Sequence, residues 1–187
     1  MTDFKIHDEN TASDPTAKML LKNAKDAYGF VPNLLGTMAE APALLKAYMT
    51  VGGIFDETSF TPTERQVVLL ASSLSNGCTY CMAAHTAIAG MQNVENDVVQ
   101  ALRDDTPIKD RKLESLRRLT QDMTETRGYP SEAIVKEFFD AGYKQSQLLE
   151  VVLGISMKTL SNYTNHIAET PLDDAFKAVE WTAVKDR

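Results

Sequence analysis

The tetrapeptide Thr61-Pro62-Thr63-Glu64 leaves this chain little choice but to begin a helix there. Threonine is a good N-cap, proline suits a first turn whose N–H groups go unused, and a glutamate three residues after the cap can return its carboxylate to the cap backbone. Val67, Val68, Leu70, Ala71 and Leu74 then form a largely apolar helix that breaks at Asn76-Gly77, and a second helix restarts at Cys78 and runs to about Met91. The product is a helical hairpin. Asn-Gly also joins β-strands, but no alternation of apolar and polar residues flanks it here.

Helical spacing recurs along the chain. Asp14-Pro15 opens a helix at Thr16 whose inner face is Ala17, Leu20, Leu21, Ala24 and Tyr28, with Gly29 as its stop, and Val31-Pro32-Asn33 starts a new element. A helix from about Ala43 to Phe55 has Pro42 at its start and Leu44, Leu45, Tyr48, Val51 and Ile54 inside. Between Ile108 and Arg127 the inner residues are Leu113, Leu116, Leu119 and Met123. Gly128-Tyr129-Pro130-Ser131 ends that stretch and caps a helix over 131–140, and Gln147 to about Ile167 is a last long apolar helix. The expected class is all-α. Residues 1–15, polar and aperiodic, read as a mobile N-terminal arm, and 16–187 as a single helical domain.

Gln66-Val67-Val68-Leu69 and Glu150-Val151-Val152-Leu153 match at an offset of 84 residues, which also pairs Ser72 with Ser156. The offset sets Asn162 and Asn165 opposite Cys78 and Cys81, and Glu169 opposite His85. Either the chain holds two degenerate repeats, about 16–103 and 104–187, with thiols only in the first, or apolar helices resemble one another by chance.

With 43% hydrophobic and 24% charged residues, the chain lies outside the regime of disordered sequences. Its net charge of −7 argues against nucleic acid, whose binding relies on Lys and Arg neutralising phosphates. No membrane-length apolar run and no signal-peptide profile is present, so a cytoplasmic protein is expected.

In such a compartment two cysteines separated by two residues point to redox chemistry or metal binding rather than to a scaffold disulfide. On a helix, Cys78, Cys81 and His85 share a face, and α-carbons about 5 to 6 Å apart permit a disulfide. The free N–H groups of a first helical turn favour a thiolate. His85 can help as an imidazolium neighbour or as a general base. A thiolate attacking a peroxide yields a sulfenic acid, which a second thiol condenses to a disulfide. Cys81 stands beside His85 and Cys78 stands nearer the helix end, so the residues alone leave open which sulfur attacks.

Two rival readings stand beside this one. Buried cysteines often serve as small hydrophobes. Zinc would find three ligands in Cys78, Cys81 and His85 but lacks a fourth, since no second CxxC or HxxxH occurs and His7 lies in the arm. Neither a metal nor a cofactor is therefore expected. His166 reads as a satisfied core or interface histidine.

The segments Glu64-Arg65-Gln66-Val67-Val68-Leu69-Leu70-Ala71 and Asn76-Gly77-Cys78-Thr79-Tyr80-Cys81-Met82-Ala83-Ala84-His85 resemble the carboxymuconolactone decarboxylase-like superfamily, in its alkyl hydroperoxidase D-like branch. Gly29-Phe30-Val31-Pro32-Asn33-Leu34, Phe139-Asp140-Ala141-Gly142-Tyr143 and Ser161-Asn162-Tyr163-Thr164-Asn165-His166-Ile167-Ala168 extend the resemblance over most of the chain. It implies an all-helical fold assembled as homotrimers or hexamers, and a thiol-dependent peroxidase. In that role Cys81 attacks a hydroperoxide, Cys78 resolves, His85 relays protons, and a dithiol donor such as a lipoylated or thioredoxin-like protein reduces the disulfide.

One position departs from the pattern: the relay glutamate falls on Gln66, an amide that exchanges no proton but can orient His85. Glu64, roughly 200° around the helix from Gln66, reads as a capping residue. The departure leaves room for a non-enzymatic, redox-responsive oligomeric or interaction protein. Lactone decarboxylation of the carboxymuconolactone type is a lesser alternative, because it does not call for the CxxC pair.

Overall fold

The computed structural model describes residues 4–183; the outermost residues of the expected arm and domain, 1–3 and 184–187, lie outside it. Nine α-helices and a closing 3-10 segment appear among the described residues, with no strand. The helices are α1 Pro15–Tyr28, α2 Asn33–Met38, α3 Pro42–Asp56, α4 Pro62–Ser75, α5 Thr79–Met91, α6 Asn96–Asp104, α7 Arg111–Glu125, α8 Glu132–Asp140 and α9 Gln145–Ala168, and the 3-10 segment is Asp174–Val179.

The boundary signals act locally, as their chemistry requires. Thr61 N donates to Glu64 Oε2 at 2.8 Å and Glu64 N to Thr61 Oγ1 at 3.2 Å. Asp14, Asp110 and Ser131 cap α1, α7 and α8. Gly29 ends α1 with φ +82°, where a side chain would be strained.

Helix α4 is the central element, packed against α5, α6, α7 and α9 and buried continuously from Gln66 to Ser73. Around it Phe55, Val67, Leu70, Met82, Leu102, Leu116, Leu119 and Phe138 form the main core. A second cluster joins α1, α2 and α3 to the start of α5 and includes Leu21, Leu35, Met38, Leu45, Cys78 and Cys81. The thiols thus sit in apolar packing where the two groups of helices meet.

Three features differ from expectation or were unassigned. Ile54 is exposed, because Phe55 takes the inward position and neighbouring helical side chains stand about 100° apart. Tyr28, the last residue of α1, is exposed where its buried stripe of Ala17, Leu21 and Ala24 runs out. Helix α6, short and amphipathic, buries Val98, Val99, Ala101 and Leu102 in a stretch for which no element was expected.

Residues 4–14, expected as an arm, carry contacts to α1 and α2: His7 N donates to Gly36 O at 3.1 Å, Lys25 pairs with Glu9, and Ala12 is buried. Helix α9 runs unbroken through Leu160 and Ser161, the positions that the 84-residue offset pairs with the Asn76-Gly77 turn.

Helix α9 approaches α4 most closely at Gly154, where an added Cβ would lie 2.6 Å from Val68 Cγ1 and 2.9 Å from the Phe55 ring. Gly154→Ala is therefore expected to lose about 1–3 kcal/mol in denaturant unfolding, despite the better helix propensity of alanine. A variant as stable as the parent would show that α9 can move away without cost.

Candidate active site

Cys78 is the N-cap residue of α5, in extended conformation (φ −83°, ψ 98°), and its carbonyl accepts from Met82 N at 3.0 Å. Cys81 follows in the first turn and His85 one turn later on the same face. Both thiols are free and nearly inaccessible, at 1% and 2% exposure, and His85 is buried with them.

Helix α9 supplies the other wall. Lys158, Ser161, Asn162 and Asn165 share one face of it, and all four are buried. Asn165 Nδ2 donates to Cys81 Sγ at 3.2 Å and reaches toward Cys78 Sγ at 3.7 Å. Asn162 is tied to the interhelix turn, its Oδ1 accepting from Asn76 Nδ2 at 2.8 Å. Lys158 is 0% exposed, and its Nζ makes no hydrogen bond among the described residues. A charge without a hydrogen-bond partner in a core must find its compensation through space.

The thiol pair provides it. Burial alone would raise the Cys81 thiol, but a hydrogen bond from Cys78, the Lys158 charge, Ser161 and Asn162 outweigh that and hold it well below the ordinary cysteine value. Cys78 moves the other way, because it donates its proton to Cys81, is buried, and faces the negative charge there. The two shifts polarise the pair toward a Cys81 thiolate with Cys78 as its thiol donor.

His85 plays a different part from the imidazolium envisaged as one of its roles. Burial and the Lys158 charge both push its pKa well below the usual histidine range, so it is neutral. Gln66 settles its tautomer. Gln66 Nε2 donates to Gln92 Oε1 at 3.0 Å, which turns Gln66 Oε1 toward His85 Nδ1 at 3.1 Å. Since that oxygen only accepts, Nδ1 carries the hydrogen and Nε2 keeps its lone pair. Glu64 is engaged elsewhere, in the α4 cap and with Lys112 Nζ at 3.0 Å.

A pocket of about 330 Å³ opens at the N-terminal end of α5, lined by Cys78, Thr79, Tyr80, Asn165, His166 and Glu169 among others. His166, expected in a core or interface, lies outside the core, exposed on this wall and stacked with Tyr163. Tyr80, between the cysteines, is fixed from the C-terminal side, donating to Asp173 Oδ2 at 2.5 Å. Among the described residues no group of three or more His, Cys, Asp or Glu side chains is placed to hold a metal ion. No helix among them is long and apolar enough to cross a membrane.

Sequence reasoning missed Lys158. Its only signal was a lysine at a stripe position of an otherwise apolar and small-residue face, in register with Val151, Gly154, Ser161 and Asn165. Asn165 had been paired with Cys81 by the repeat offset, whereas the structure puts their side chains in direct contact.

The carboxymuconolactone decarboxylase family model matches residues 42–117, from the start of α3 into α7, including both thiols, His85 and Gln66. No curated protein matches the sequence. Three solved structures share the fold over nearly the whole chain. A cysteine-to-alanine variant of the debrominase Bmp8, in complex with 2,3,4-tribromopyrrole, has a TM-score of 0.79 at 20% identity, covering 95% of each chain. The alkylhydroperoxidase AhpD core of an uncharacterized peroxidase-related protein from Ralstonia eutropha JMP134 also scores 0.79 at 20% identity, covering 92% of this chain and 93% of that one. An uncharacterized peroxidase-related protein from Silicibacter sp. TM1040 scores 0.73 at 17% identity, covering 94% and 95%. Residues 42–117 thus match the carboxymuconolactone decarboxylase family model, and the chain as a whole has the fold of the alkyl hydroperoxidase D core.

Proposed function

We propose that the protein is a thiol-dependent hydroperoxidase in which Cys81 attacks and Cys78 resolves. The observation that carries this reading is the buried Lys158, with no hydrogen-bond partner, beside a thiol pair polarised into one thiolate and one thiol donor. Packing alone gives no reason for such a charge.

The Cys81 thiolate attacks the outer oxygen of ROOH, forming an S–O bond and breaking O–O. The departing alkoxide takes the Cys78 proton and leaves as ROH. Cys78, now a thiolate, attacks the Cys81 sulfenic sulfur and expels hydroxide, which takes from solvent the proton that Cys81 lost on ionising and leaves as water. A hydroperoxide and two thiols thus give an alcohol, water and a disulfide. Lys158 offsets negative charge throughout, and His85 Nε2 is available as a proton acceptor. The disulfide is then reduced by a dithiol donor, such as a lipoylated or thioredoxin-like protein, in the reducing cytoplasm. Apolar Leu149, Val152, Tyr163 and Ile167, exposed along α9, support assembly into trimers or hexamers.

One equivalent of cumene hydroperoxide is expected to consume both thiols of the reduced protein, with sustained turnover when a dithiol is supplied. Cys81→Ser should slow consumption by at least ~100-fold, whereas Cys78→Ser should accumulate a dimedone-reactive sulfenic acid at Cys81. Thiols that stay free after the equivalent would sink the proposal, and oxidation without turnover would favour a redox-responsive protein.

A second reading is favoured by the likeness to the debrominase Bmp8. The same thiolate can attack a ring-bound bromine, forming S–Br while the ring carbon takes a proton, after which Cys78 displaces bromide to give the same disulfide. Bromide release from a bromopyrrole, measured beside peroxide consumption, separates the two.

A further inference from the structure

We propose that the disulfide is reduced by attack on Cys78, through the pocket at the start of α5, by a small thiol or the slender thiol arm of a donor. This rests on the redox-pair reading above and assigns the sulfur at which the reductant enters.

The pocket has Cys78 in its wall, together with Thr79, Asn165, His166 and Glu169, and its lining does not include Cys81. Asn165, in the same wall, has its Nδ2 3.2 Å from Cys81 Sγ and 3.7 Å from Cys78 Sγ. Asn162, Ser161 and Lys158, which also act on Cys81, are buried and sit progressively earlier along α9, away from the Glu169 rim. A reductant thiolate entering through this pocket therefore meets Cys78 before Cys81. About 330 Å³ accommodates a narrow thiol-bearing chain, not a folded protein surface, so a protein donor must extend its thiol into the site.

The chemistry selects the same sulfur. Thiol–disulfide exchange is faster when the expelled sulfur is the more acidic thiol. Attack at Cys78 forms a bond between the donor sulfur and Cys78 Sγ and breaks the Cys78–Cys81 bond, with the electron pair leaving on Cys81 beside the Lys158 ammonium. A second donor thiol then attacks the first donor sulfur and releases Cys78, which takes up its proton. One dithiol is oxidised and one protein disulfide reduced. Attack at Cys81 would instead expel Cys78, the sulfur the site holds as a thiol.

The test oxidises the full chain with diamide, which forms the disulfide whether or not the protein consumes peroxides. Brief exposure to cysteamine, acid quench, alkylation and peptide mapping then locate the adduct. The expected product carries cysteamine on Cys78 and the alkyl label on Cys81, by at least tenfold over the reverse. Cysteamine chiefly on Cys81, or shared equally, overturns the inference. Absence of a Cys78–Cys81 disulfide after diamide overturns both the inference and the redox-pair reading. An adduct on Cys78 in a protein that fails to consume hydroperoxide upholds the inference and removes only the peroxidase reading.

Discussion

Lys158→Met is expected to cut the reaction rate of Cys81 with hydroperoxide, or with iodoacetamide, by at least about 30-fold at pH 7 while leaving the fold as stable as before or more so. The two halves follow from one geometry. With the ammonium gone, burial dominates and the thiol returns to, or above, its ordinary value near 8.5, at which roughly 3% is ionised at neutral pH. Lys158 is fully buried without a hydrogen bond, and an apolar side chain of similar length removes that desolvation burden. Replacing a whole buried ion pair by apolar groups is commonly neutral or stabilising by about 1–4 kcal/mol, and Lys158→Met amounts to that because Cys81 reprotonates and leaves no unpaired charge. A merely structural lysine would predict the reverse pattern, lost stability with reactivity kept.

The pH dependence of stability gives an independent readout. Folded Cys81 is more acidic than unfolded cysteine, so between its depressed value and about 8.5 the unfolded chain binds the extra proton and stability rises with pH. His85 adds to the same slope below about 6.5, where the unfolded imidazole takes up a proton that the folded one refuses. Cys78, raised in the fold, acts oppositely once pH exceeds about 8.5, because the unfolded thiol ionises and the folded one does not. The reduced protein should therefore be most stable at about pH 8.5, where the two thiol slopes cancel. In Lys158→Met the rise between about 6.5 and 8.5 should flatten in denaturant titrations, while the histidine slope below it persists.

What the sequence revealed and what it hid divide along contact distance. The cap of α4, the Asn76-Gly77 turn and the placing of Cys78, Cys81 and His85 on one face depend on residues within a few positions of one another, and these could be read directly. The neutral state of His85 and the split between the thiols depend on Lys158 and Asn165, which reach α5 from the far end of the chain through the packing of α9. Phe55 and Ile54 show the same limit in the core: both fit an amphipathic pattern, and only the docking of α3 on its neighbours decides which points inward.

A carboxylate at position 66 and the Lys158 ammonium are alternative ways to hold a thiolate, and that relation predicts a rescue. Gln66 lies 3.1 Å from His85 Nδ1 and serves as a neutral acceptor, so His85 lacks the anionic partner that would let it become an imidazolium. The Lys158 charge fills the role instead and, by the same field, keeps His85 neutral. Gln66→Glu alone should alter the peroxide step by less than about 3-fold, since the thiolate is already formed and a second acid–base group adds little. In the Lys158→Met background the same substitution should recover at least about 10-fold. There the carboxylate can raise the histidine by a unit or more and permit an imidazolium–thiolate pair. Gln92 can turn its amide to donate to the new carboxylate where it now accepts from Gln66. The rescued variant should also show an acid limb in its pH–rate profile that Lys158→Met lacks. If Gln66→Glu restores nothing in that background while the double variant remains folded, charge beside His85 cannot replace charge beside Cys81, and activation of the thiolate belongs to α9 alone.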